Sequence, residues 1–255
     1  MWERPDFLDL PVRQEKPRAE GLTHVLDKGV SVPALDGLLG QAGELIDVLK
    51  IGWGIAYIDR TLKERIALCD SAGILVSLGG TLLEVAAIHG KVEELRRWAL
   101  EQGIGAIEVS NGLGALTAAR KAALVSRLAG DFTVLAETGA KDGRVPVVPV
   151  HWVEEMQRDL EAGARWVIAE GRESGTVGLF QTDGAVREEL VESIASHVPL
   201  DRVIFEAPKK TQQAWFVRHL GPGVNLGNVT PEEVLPLETL RLGLRADTAR
   251  SRMSR

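Results

Sequence analysis

Carboxylates and amines recur at one kind of place in this sequence, the far end of a short apolar run rich in β-branched residues. Glu108 closes AIEVSNG, Glu137 closes FTVLAETG, Glu170 and Arg172 close RWVIAEGRESG, and Glu206 closes RVIFEAPKK, where Lys209 and Lys210 follow. Asp27 and Lys28 end LTHVLDKG, Lys50 lies in LIDVLKIGWG, Glu84 comes just past ILVSLGG, and Asn228 belongs to VNLGNV. Any one of these reads as a solvated loop charge or a rim ion pair, but the repetition over nearly every run points to a converging functional set. Glu108, Glu137, Glu170 and Glu206 in like settings repel one another unless a cation or lysines sit between them. Carboxylate oxygens without histidine or cysteine partners suit a hard cation such as Mg²⁺. Lys28, Lys50, Lys141, Arg172, Lys209 and Lys210 carry more positive charge than a single carboxylate guest requires, so a phosphorylated carboxylic acid is expected. Gly227 and Asn228 end the last run, where backbone N–H groups often cradle phosphate, although a strand-end glycine alone reads as a turn.

The elements that must position these groups follow one pattern eight times: a short β-rich run, a polar or glycine-rich turn, then a segment of helical period. Between the runs lie amphipathic stretches such as TLLEVAAIHGKVEELRRWALEQG, ALTAARKAALVSRLAG and VPVHWVEEMQRDLEAG. PEEVLPLETLRLGL makes the last helix, with Thr230 as N-cap and Pro231 at its first position. Strands alternating with helices imply parallel pairing through right-handed crossovers. Eight units in 255 residues favour closure into a single-domain α/β fold, the (β/α)₈ TIM barrel, over an open sheet. In a barrel all the strand ends meet on one rim, which is where the charges fall. Residues 1–20 read as a lead-in, 21–248 as the barrel and 249–255 as a tail.

Several classes are excluded. A formal net charge of −6 lacks the basic footprint of a general nucleic-acid binder. No GxGxxG turn follows the first run and no GxxxxGK[ST] occurs, so the common nucleotide-binding open sheets lose support. The charged, proline-broken start has no signal-peptide core and no run approaches a membrane span, so a cytoplasmic protein is expected. Cys69, the sole cysteine, reads as a buried helix residue. His24 lies within the first run and reads as a core histidine, while His89, His151, His197 and His219 show no metal-binding spacing. Of the six tryptophans, Trp53 alone follows a strand directly and reads as a wall of the pocket.

The strand-end motifs resemble those of the phosphosulfolactate synthase family, over roughly Gly21 to Thr248. The runs that carry the resemblance are GLTHVLDKG, DVLKIGWG, GGTLLE, IEVSNG, AEGRESG, FEAPKKTQQAWF, GPGVNLGN and LETLRLGLRADT. Plant heat-stress-associated homologues share the fold and several of these motifs. Two positions depart from the family pattern. Asn111 stands where the family's fourth-strand run has an aspartate, and Ala140 stands in place of the first of two adjacent lysines, leaving Lys141.

The resemblance implies Mg²⁺-dependent addition of sulfite to phosphoenolpyruvate, giving (2R)-phospho-3-sulfolactate, a step that serves coenzyme M or sulfolactate production. Lys141 aligns with the lysine proposed in the family as general acid. The expected metal ligands are Glu108, Glu137 and Glu170. Lys28, Lys50 and Arg172 are expected on sulfite and carboxylate, and Lys209, Lys210, Gly227 and Asn228 on phosphate. Two alternatives are a barrel that adds another small nucleophile to a similar substrate, and a non-catalytic stress-protection relative. Self-association into a homo-oligomer is left open by the sequence.

Overall fold

A computed structural model describes residues 5–249 apart from 115 and 141. Its centre is a closed barrel of eight parallel strands in sequence order. They are β1 (Thr23–Asp27), β2 (Val48–Ile51), β3 (Leu75–Leu78), β4 (Ala106–Val109), β5 (Thr133–Thr138), β6 (Trp166–Ala169), β7 (Val203–Glu206) and β8 (Leu226–Val229). β8 returns to pair with β1, so no edge is left unpaired. The helices are α1 (Val32–Ala42), α2 (Ile55–Ile58), α3 (Leu62–Ser71), α4 (Gly80–Ile88), α5 (Val92–Gln102) and α6 (Ala118–Leu128), followed by α7 (Pro149–Glu161), α8 (Glu188–His197), α9 (Lys210–Leu220), α10 (Val234–Arg241) and α11 (Ala246–Ala249).

Strand periodicity decides what faces the barrel axis. Outward residues such as Val25, Leu49, Ile107, Val134, Val167 and Phe205 join the helices in the large outer core. Inward residues form a second, smaller cluster of Leu22, Ala106, Leu135, Trp166, Ile168 and Ile204. Side chains two residues apart on a strand share a face. Ala106, Leu135, Ile168 and Ile204 are therefore followed on the same face by Glu108, Glu137, Glu170 and Glu206. The apolar plug fills the lower barrel, and the glutamates form the layer directly above it.

Two expected helices start or run differently. The stretch TLLEVAAIHGKVEELRRWALEQG is two helices, α4 and α5, because Gly90 takes a left-handed φ of 66° and breaks the period. Thr230 and Pro231 open a 3₁₀ turn, Pro231–Glu233, before α10 begins. The lead-in is pinned under the barrel: Arg13 Nε meets Glu238 at 3.0 Å, Lys16 Nζ donates to the Gly43 carbonyl at 2.8 Å, and Arg18 Nη1 meets Asp47 at 2.8 Å. No helix among the described residues is long and apolar enough to cross a membrane.

Candidate active site

At the C-terminal ends of the strands lies a cavity of about 240 Å³. Its charged lining is Lys50, Glu108, Glu137, Glu170, Arg172, Glu173 and Glu206, with Asn228 beside them. The volume suits a guest smaller than a drug-sized ligand.

Lys50 is the hub. Its Nζ lies 3.0 Å from Oε1 of Glu108 on β4 and 3.0 Å from Oε1 of Glu206 on β7. Burial alone would push this ammonium's pKa down, but the two carboxylates outweigh it and raise the pKa above its usual value. Glu108 is held in turn by Lys50, by His24 Nε2 at 3.4 Å, and by the Gly80 N–H, which donates to Oε2 at 3.1 Å. Burial acts to raise its pKa, yet Lys50 and His24 bring it down to about 2. Glu108 is therefore a fixed anion already occupied by its own partners.

Glu137, Glu170 and Glu206 form a second group, joined to Glu108 through the Lys50 that Glu206 also pairs with. Each offers a buried carboxylate oxygen, and these three oxygens lie within 4.8 Å of one another. Burial, then Glu137 and Glu206, push the Glu170 carboxyl well above the ordinary range. Oε2 of Glu170 is buried and receives no hydrogen bond. Three clustered carboxylates need a proton or a cation between them, and a set of oxygens alone fits a hard divalent ion. The trio thus fits Mg²⁺ with Glu206 in the place expected for Glu108. What sequence spacing does not reveal is that Lys50 pairs with both Glu108 and Glu206, and that of these two it is Glu206 whose oxygen lies within 4.8 Å of those of Glu137 and Glu170.

The turn after β6 builds one wall. The Gly171 and Arg172 N–H groups donate to Glu206 Oε2 at 2.9 and 3.0 Å, and the Arg172 N–H also reaches Glu170 Oε1 at 2.7 Å. Gly171 must be glycine here, since a Cβ would stand 2.6 Å from the Phe180 ring and 2.8 Å from the Glu206 carbonyl. Gln212 on α9 fastens the same loop by donating to the carbonyls of Gly175 (2.8 Å) and Gly184 (3.2 Å). The EGRESG and KKTQQ runs are in this way two halves of one clamp.

The other expected anion-binding residues divide. Lys50, Arg172 and Asn228 line the cavity, whereas Lys28 and Lys209 are exposed residues outside its lining. Lys210 pairs with Asp247 at 2.8 Å on the outer side of the helix layer. Gly227 packs over His24, and a Cβ there would lie 3.0 Å from Nδ1. His24 is fully buried as expected of a core histidine, but its contact with Glu108 ties it to the charged layer. Lys141, the expected general acid, lies outside the described residues.

The sequence reading places Glu206 and Glu84 in the converging set, and the structure adds their partners and one further feature. Glu206 joins the carboxylate trio. Gly79, Gly80 and Thr81 bring the N-terminus of α4, with its partial positive charge, to the cavity. Glu84 accepts from Ser110 Oγ at 2.5 Å and from the Leu113 N–H at 2.6 Å, holding the loop after β4 over the mouth. Asn111 in that loop donates to the Leu116 carbonyl at 2.7 Å and accepts its N–H at 2.8 Å. An aspartate could accept but not donate, so the departure at this position concerns loop closure. Burial raises the Cys69 thiol to about 11, which fits an inert core residue.

Comparison with known proteins adds the following. Residues 11–247 match the family model for (2R)-phospho-3-sulfolactate synthase (ComA). A phosphosulfolactate synthase of Bacillus subtilis (strain 168) is 40% identical over 247 residues, covering 95% of this chain and 98% of that protein. One from Methanocaldococcus jannaschii is 42% identical over 234 residues, covering 89% of this chain and 93% of that protein. Protein HEAT-STRESS-ASSOCIATED 32 of Arabidopsis thaliana is 25% identical over 262 residues, with 90% and 88% covered.

Proposed function

Because the chain belongs to the (2R)-phospho-3-sulfolactate synthase family, we propose that it joins sulfite to phosphoenolpyruvate with Mg²⁺ as cofactor. The sulfur lone pair forms a bond to the CH₂ carbon, and the double-bond electrons move onto C2 and its carboxylate. C2 then takes a proton, and the phosphate ester stays intact. The observation that carries this reading is the pairing of a carboxylate trio, Glu137, Glu170 and Glu206, with fixed cations in one small cavity.

The chemical demand is extra negative charge on a molecule that is already anionic. Preorganised positive groups in a water-poor cavity meet that demand best, because they need no reorganisation when the charge appears. Lys50, kept protonated by Glu108 and Glu206, supplies a fixed ammonium rather than a transferable proton. Arg172 presents a guanidinium whose fork matches two carboxylate oxygens. The α4 N-terminus adds its dipole. Glu137, Glu170 and Glu206 would hold Mg²⁺, which when bound supplies positive charge beside the developing carboxylate dianion. Lys141 is the proton donor to C2 on the strength of the family resemblance.

The charged layer of the cavity is largely kept, with Lys50 paired to Glu108 and Glu206, which favours a working enzyme over a non-catalytic stress protein. The Asn111 departure leaves the nucleophile unchanged in this reading, since its amide is taken up by Leu116. The test is phosphoenolpyruvate consumption with sulfite and Mg²⁺ each withheld in turn. The proposal expects turnover only when both are present, and unchanged turnover after exhaustive chelation would overturn the role of the metal.

A further inference from the structure

We propose that Trp53 is a substrate-contacting residue, its indole forming the apolar wall against which the anionic substrate closes. The inference rests on the reading of the cavity as a phosphoenolpyruvate site. Trp53 takes a left-handed φ of 50°, rare for any side chain and strained for a bulky one. Among the described residues the other non-glycine positions of this kind are Arg172 and Asn228, each with φ 53°. All three line the same cavity, Trp53 and Arg172 from loops and Asn228 from β8.

The turn itself asks for something else. The Ile55 N–H donates to the Gly52 carbonyl at 3.1 Å, which closes a four-residue turn with Trp53 at its first central position. A positive φ at that position is normally filled by glycine. Hydrophobic packing does not account for the tryptophan either. The residue is 42% exposed and belongs to neither hydrophobic core. What it does border is a cavity whose other walls are mostly charged side chains and glycines, with Leu26 and Leu113 as the remaining apolar lining. An indole offers one N–H donor and an electropositive ring edge, both suited to an anion, while its bulk keeps water from the reacting carbons.

The test uses the full chain with Trp53→Gly and Trp53→Phe. Unfolding temperature, the thermal shift caused by phosphoenolpyruvate, and kcat and KM are measured separately. Trp53→Gly should unfold no lower than wild type, because glycine relieves the left-handed turn, yet kcat/KM should fall by about tenfold or more. Trp53→Phe keeps the wall, loses the N–H donor and should fall between the two. A wild type that binds phosphoenolpyruvate together with a Trp53→Gly variant that binds and turns over equally well overturns this inference alone. So does a marked drop in unfolding temperature in Trp53→Gly, since the ring would then serve packing. A wild type with neither thermal shift nor turnover overturns the substrate assignment, and this inference with it.

Discussion

Lys50 on β2 reaches across the barrel mouth to Glu206 on β7, Nζ to Oε1 at 3.0 Å. The contact links two motifs 156 residues apart and places an ammonium in the layer above the apolar plug. Removing one partner of such a buried pair leaves the other charge uncompensated, at a cost of about 3–5 kcal/mol. Lys50→Met should therefore lower stability by about that much and abolish turnover. Adding Glu206→Gln to Lys50→Met should recover part of the stability and none of the activity. Denaturant unfolding of the single and double variants measures this, and a fully stable Lys50→Met would show that the pair carries little.

Glu206 and Glu108 are predicted to differ in metal binding although both touch Lys50. Glu206→Gln, like Glu137→Gln and Glu170→Gln, removes a charge from the trio and should weaken Mg²⁺ or Mn²⁺ binding by about tenfold or more. Glu108→Gln should change ion affinity much less, because Glu108 stands outside the group of three carboxylates whose oxygens lie within 4.8 Å of one another. Calorimetric titration of the ion into each variant reads this. Stronger dependence on Glu108 than on Glu206 would restore the ligand set expected from sequence.

The raised Glu170 carboxyl gives a pH dependence of definite sign. Burial and the neighbouring Glu137 and Glu206 favour its protonated form in the ion-free protein. The folded state then holds this proton more tightly than the unfolded chain, so the group's contribution to stability falls as pH rises through and above the ordinary carboxylate range. Ion binding requires the carboxylate, so affinity for Mg²⁺ should rise with pH and binding should release a proton. Calorimetry in buffers of different protonation enthalpy counts that proton. PH-independent affinity with no proton released would show that Glu170 is already ionised.

Much of this was legible in the sequence, for a physical reason. A parallel barrel buries both faces of its strands, so charges in an apolar run can only mark its open end, and Glu108, Glu137, Glu170 and Glu206 all do. Hidden were relations fixed by closure of the barrel. Nothing local to KIGWG says that Lys50 meets Glu108 and Glu206, and nothing local to FEAPKK says that Lys210 turns outward to Asp247 while Glu206 turns in. Gly90 breaking one amphipathic stretch into α4 and α5 was readable in principle, since an isolated glycine often ends a helix.

The role that the family resemblance gives Lys141 is testable. If it gives the proton to C2, Lys141→Ala should cut kcat by ~10²–10⁴-fold while substrate affinity stays nearly unchanged. Lys141→Arg should not restore the rate, because a guanidinium keeps its proton at neutral pH. Substantial turnover by the arginine variant would reduce Lys141 to charge neutralisation.

The central claim is tested most directly by following phosphoenolpyruvate labelled with ¹³C at its methylene carbon by NMR, with sulfite and Mg²⁺ present. The account predicts that the olefinic signal gives way to an aliphatic methylene bonded to sulfur, with the phosphate ester retained and C2 newly protonated. No loss of the olefinic signal, or release of inorganic phosphate in place of C–S bond formation, would contradict it.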